Sequence, residues 1–136
     1  MARKYILLLL SASILAFAQP TVNTSITTGG MLNGRAWDSS SRDSRLLYIH
    51  GIEDGLVLAA GLVAPGPDQA SLLKHAAPDF RPSDYVDEIN AFYQDHTHAG
   101  IPIFYAWEYV NAKFKGATQD HLESMMRSFR AFVARH

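Results

Sequence analysis

Apolar residues recur every three or four positions in four stretches of the chain, each bracketed by residues that start or stop helices. In the first stretch, Ile49, Ile52, Leu56, Ala59 and Val63 form one stripe of a helix running from 42 to about 63. Leu47, Leu58 and Leu62 lie well round from that stripe, and only Asp43, His50, Glu53 and Asp54 remain as a polar strip. Ser39, Ser40 and Ser41 offer N-caps, with Ser40 and Asp43 approximating a capping box. A helix apolar over most of its circumference has to be surrounded, so the pattern predicts that this one is central to the domain. Gly51 and Gly55 share a further side with Leu62. Each glycine costs ~1 kcal/mol in a helix interior, which predicts a neighbouring backbone in close approach there.

Residues 64 to 68, Ala-Pro-Gly-Pro-Asp, break the chain, and Pro78 and Pro82 break it again, leaving room for one short helix over about 68 to 75. Ser83 then caps a helix that ends near Asp95, with Val86, Ile89, Phe92 and Tyr93 inward and Asp84, Asp87 and Glu88 in its first turns. After a connector over 96 to 100, Pro102 opens a helix to Lys115 that Gly116 closes, with Ile103, Ala106, Trp107, Val110 and Phe114 inward. Thr118 caps the last helix, 119 to about 135, which turns Leu122, Met125, Met126, Phe129, Phe132 and Val133 inward. No stretch alternates with a period of two. The expected fold is all-α, a compact bundle of four main helices plus one or two short helices around a central apolar helix.

The first thirty residues follow a different logic. Arg3 and Lys4 precede an uncharged run from Tyr5 to Ala18 that ends in small-x-small at Ala16 and Ala18. This predicts a secretory signal peptide over 1 to 18, since a run of about 14 apolar residues is shorter than the ~20 of a membrane span. Residues 19 to 30 hold two apolar side chains and end in Gly29-Gly30, which predicts a flexible tether, with a single helical domain over 31 to 136. The chain is thus expected to be exported, periplasmic or secreted, with no membrane span once the leader is gone.

Composition narrows the function classes. The chain is 48% hydrophobic and 18% charged with a formal charge of -1, a balance unlike that of a disordered chain or a nucleic-acid binder. Losing Arg3 and Lys4 makes the remainder -3. There is no cysteine, so disulfides, thiolate metal sites and cysteine nucleophiles are excluded. Walker, dinucleotide and Gly-x-Ser-x-Gly patterns do not occur, and no cofactor is expected. Acids cluster over 79 to 108 and bases over 113 to 136, which reads either as attraction between neighbouring helices or as an acidic face for a cationic partner.

Three groups of residues could carry binding or chemistry. His50, Glu53 and Asp54, at i, i+3 and i+4, present an imidazole and two carboxylates on one helical face. Such a set suits half a metal site or an acid/base pair, and equally a hydrogen-bonded polar strip. His96 and His98, beside Asp95, could share a cation only if the fold supplied further ligands; otherwise they are surface turn histidines. Tyr105 and Tyr109 belong to an aromatic-rich stretch and could anchor a partner if exposed, or pack the core.

The segment Leu46-Leu47-Tyr48-Ile49-His50-Gly51-Ile52-Glu53-Asp54-Gly55, the proline-interrupted link, Val86 to Tyr93, the histidine-containing turn and Ala106 to Phe114 resemble the small exported bacterial proteins grouped with the type VI amidase immunity (Tai-like) proteins. The resemblance covers about 46 to 115, without the cysteines usual in that family. It implies a helical, non-enzymatic module of the cell envelope that binds another protein. The alternative is a small metal-binding protein or hydrolase using His50, Glu53 and Asp54.

Overall fold

The computed structural model describes residues 25–76 and 80–136; the expected leader at 1–18 and tether residues 19–24 lie outside them. Described are β1 (Thr27–Thr28), β2 (Met31–Leu32), α1 (Gly34–Asp38), α2 (Arg42–Leu62), α3 (Pro67–Ala76), α4 (Pro82–Tyr93), a 3-10 turn (His96–His98), α5 (Ile103–Phe114) and α6 (Gln119–Val133). The fold is all-α, with one two-stranded ladder among the described residues.

Local chemistry sets the helix ends. The Ser41 hydroxyl accepts the Ser44 N–H (3.2 Å) at the start of α2, and the Thr118 hydroxyl accepts the His121 N–H (3.4 Å) at the start of α6. Helix α4 starts earlier than its serine suggests. Pro82, which needs no amide partner in a first turn, follows an N-cap at Arg81, whose backbone N–H donates to the Asp84 carboxylate at 3.1 Å. The Arg81 guanidinium also holds that carboxyl below its usual range. Gly116, at φ +75°, supplies the left-handed residue that closes α5.

The bundle does have a central apolar helix, and it is α5. Ile103, Ala106, Trp107 and Val110 are buried on it, packed with Tyr85, Val86, Ile89, Phe92 and Tyr93 of α4, Phe129 of α6, Trp37 of α1 and Ile49 of α2. Helix α2, expected at the centre, lies at the margin. Only Ile49 and Ala60 of its 21 residues are fully buried, with Leu46, Ile52 and Leu56 half-buried against the core. It packs on α4 and on α3, forming a helical hairpin with the latter. The close approach expected at Gly51 and Gly55 is also absent, because a Cβ at either would meet nothing within 4 Å. It occurs instead at Gly34, where a Cβ would stand 2.5 Å from the Tyr93 ring and 3.1 Å from the Ala99 Cα. Only a residue without a side chain lets α1 sit so near α4.

Residues 25 to 30, expected to be tether, are built into the body. Gly29 (φ +56°) and Gly30 (φ +80°) occupy the two turn positions of an antiparallel hairpin that pairs Thr27 with Leu32 and Thr28 with Met31. The Thr28 hydroxyl donates to the Gly100 carbonyl at 2.7 Å. Asn33, fully buried, donates its amide to the Ser25 carbonyl (3.0 Å) and the Thr28 hydroxyl (3.1 Å) and accepts the Arg35 N–H (3.1 Å), capping α1. From α1, the Trp37 indole N–H donates to Asn90 on α4 at 2.8 Å, and the Arg45 guanidinium lies 5.4 Å from the ring centre. Among the described residues no helix is long and apolar enough to cross a membrane.

Candidate functional site

Two histidines of the connector have different fates. His96 is exposed, whereas His98 turns inward and stacks on Phe92 at 4.4 Å between ring centres. Its Nδ1 lies 2.8 Å from the Phe92 carbonyl, which can only accept, so Nδ1 carries the proton. The other nitrogen, Nε2, then faces Asp95, 3.5 Å from Oδ2. Asp95 caps the turn: the Thr97 hydroxyl (2.7 Å) and amide (2.9 Å) donate to it and keep its carboxyl below the usual range. Tyr109 on α5 packs on Phe92. Asp95, His98 and Tyr109 line two adjoining grooves, one of about 410 Å³ completed by Arg127 and Arg130 of α6, the other of about 250 Å³ completed by Glu88 of α4 and Lys113 of α5. The fold thus joins His98 to Tyr109, which belong to different stretches of the sequence. Of the bases clustered over 113 to 136, Lys113 of α5 pairs with Glu88 of α4 at 2.6 Å, and Arg130 of α6 helps to lower the Asp95 carboxyl.

Tyr105 is half-buried between Phe129 (4.9 Å) and Phe132 (5.2 Å), inside the α5–α6 contact. It packs the core.

His50, Glu53 and Asp54 do not converge on one point. Asp54 and His50 are exposed, whereas Glu53 joins Ile49, Leu56 and Ala60 on the side of α2 that faces the protein. The Glu53 side chain is 14% exposed; Oε2 lies 3.6 Å from His50 Nδ1, and Oε1 is buried with no hydrogen-bond partner among the described residues. Burial raises its pKa, His50 opposes this, and Asp54 reinforces it. An acid whose folded pKa exceeds its unfolded one binds the proton more tightly when folded, so stability falls as pH rises from its ordinary value through the raised one. Glu53→Leu is therefore expected to stabilise the protein by about 1 kcal/mol at neutral pH, the usual cost of a buried unpaired polar group. It should also remove that descent, read as urea midpoints at about pH 4 and about pH 7.5. A variant less stable at neutral pH would show that Glu53 is paired. Among the described residues no three of His, Cys, Asp and Glu are placed to hold a metal ion.

The most conspicuous surface is one that sequence reasoning placed in the interior. At 100° per residue, Leu47, Gly51, Asp54, Gly55, Leu58 and Leu62 fall within about 50° of one line along α2, opposite its buried side. Leu47 is 71% exposed, Leu58 66% and Leu62 82%. An apolar stripe this continuous on a helix whose other side is already packed is the kind of surface that marks protein interaction. The signal lay in the wheel, where these leucines stood apart from the Ile49 stripe.

Comparison with protein-family models found no match to the chain, and comparisons with curated proteins and with solved structures found none either.

Proposed function

We propose that the chain is a non-enzymatic, protein-binding module of the cell envelope, immunity-like in the sense of the resemblance above, exported by a leader cleaved after Ala18. It binds through the outward side of α2. The observation that carries this reading is the exposure of Leu47, Leu58 and Leu62 on a helix whose opposite side packs against the core. Burying an exposed leucine is worth roughly 2 kcal/mol, so three of them supply several kcal/mol of apolar burial if a partner covers them. Leu58→Asp tests it. The chain used as bait in envelope extract is expected to retain protein that the variant, equally folded by circular dichroism, does not. Equal retention by both, or by neither, rejects this surface.

A further inference from the structure

We infer that a groove between α5 and α6 binds a short peptide with free ends, its ammonium at Glu108, its carboxylate at Lys115 and an inner carbonyl on the Asn111 amide. No residue that lines this groove belongs to α2, so the site and the protein-binding face proposed above stand or fall separately. The groove measures about 320 Å³. That is at the low end of the ~300–1,000 Å³ of ligand clefts, which suits a ligand of a few small residues. The observation that points to a ligand is at its floor. Asn111 is 3% exposed, and the part left open lines the groove. Its Oδ1 accepts the Tyr85 O–H at 3.0 Å inside the core, which fixes the carboxamide and leaves Nδ2 to the groove. Nδ2 has no hydrogen-bond partner among the described residues. An amide donor so placed is costly to leave unmade, and a carbonyl entering the groove satisfies it.

Charge selects what carries that carbonyl. Glu108, Asn111 and Lys115 follow one another at intervals of three and four along one side of α5, so an acid, an amide and a base lie in a row. From the acid to the base the helix rises ~10.5 Å, and an extended peptide of three residues spans ~10 Å. Glu108 is half-buried and Lys115 exposed, and neither forms an ion pair among the described residues. Lys115 Nζ has only the Lys74 carbonyl, at 3.5 Å. A simple anion or a simple cation would meet one like charge in this row, whereas a peptide with both ends free sets each end against its opposite. On the facing wall, His121 and Met125 of α6 add no negative charge, and the pliant Met125 thioether can fit small side chains.

Titration of the isotope-labelled full chain with trialanine, followed by NMR at the Asn111 side-chain amide, tests the site. Those signals are expected to move saturably, with a dissociation constant on the order of 1 mM for so small a ligand. Trialanine acetylated at one end and amidated at the other keeps the inner carbonyls but loses both charges, and should bind ~10-fold more weakly. Glu108→Gln and Lys115→Gln should each weaken free trialanine ~3-fold. Neither side chain belongs to the core, so both variants keep the parent's circular dichroism. An Asn111 amide that does not move by ~10 mM trialanine overturns the inference. So does equal affinity for the blocked peptide, or unchanged affinity in both variants. Acetate reproducing the same shifts would show a carboxylate site alone, and overturns it too.

Discussion

Trp107→Ala is expected to cost about 3–5 kcal/mol, the range for removing a large aromatic from a closed core. Trp107 has no exposed surface. Its ring stacks near Tyr85 (5.9 Å) and Phe104 (6.0 Å), where α4 and α5 meet, at the middle of the cluster that joins five helices. Domains of this size are stable by only ~5–15 kcal/mol, so the variant should lose a fifth of its stability or more, with a melting point lower by on the order of 10–20 °C. The milder change carries a sharper point. The Trp107 indole N–H is buried with no partner among the described residues, so Trp107→Phe sheds an unpaired donor along with part of the ring. Its cost should stay near ~1–2 kcal/mol, because removing an unsatisfied group offsets some of the lost packing. Thermal unfolding of the two variants checks both statements; an alanine variant within ~1 kcal/mol of the parent would mean that α5 is not the centre of the core.

Asn33→Ala is expected to be the second most damaging change, through polarity rather than volume. The carboxamide is fully buried and satisfies the Ser25 carbonyl, the Thr28 hydroxyl and the Arg35 amide at 3.0–3.1 Å. Alanine takes one partner from each of those groups, although Arg35 still reaches the Ser25 carbonyl and Thr28 still bonds Gly100, and it removes the N-cap of α1, together about 2–4 kcal/mol. The effect should be local first. The hairpin of Thr27 to Leu32 loses its attachment, while α4, α5 and α6, which do not touch Asn33 through its side-chain amide, keep their helicity. Limited proteolysis is expected to cut the variant within 25–32 well before the parent. Unchanged cleavage and an unchanged unfolding midpoint would show that Thr28, bonded to Gly100, holds the hairpin alone.

Helices α4, α5 and α6 were legible because each carries one apolar stripe opposite a polar one: Val86, Ile89, Phe92 and Tyr93 are buried while Asp87, Ala91 and Gln94 are exposed. Helix α2 misled because it is apolar on both sides. Periodicity states which residues share a face but not which face finds a neighbour, and here the fold covers the Ile49 side and leaves the Leu58 side in water. The glycines misled for the same reason: Gly51 and Gly34 look alike in sequence, and only Gly34 has a ring against it. The hairpin escaped because two strands of two residues cannot show alternation, so Gly29-Gly30 read as a linker instead of a turn. Within the candidate grooves, Asp95 and His98 were visible as neighbours three apart. Their meeting with Tyr109 and Arg130 depends on how α5 and α6 pack, which no local pattern contains.

The account turns on which side of α2 is bare, and the unfolding midpoint of Leu58→Asp in dilute solution measures this directly. A side chain 66% exposed can accept a charge at little cost, so the midpoint should match the parent's to within ~0.5 kcal/mol, as for ordinary surface changes. A loss of several kcal/mol, the cost of a charge forced into a packed interior, would mean that α2 is enclosed after all and has no face to offer a partner.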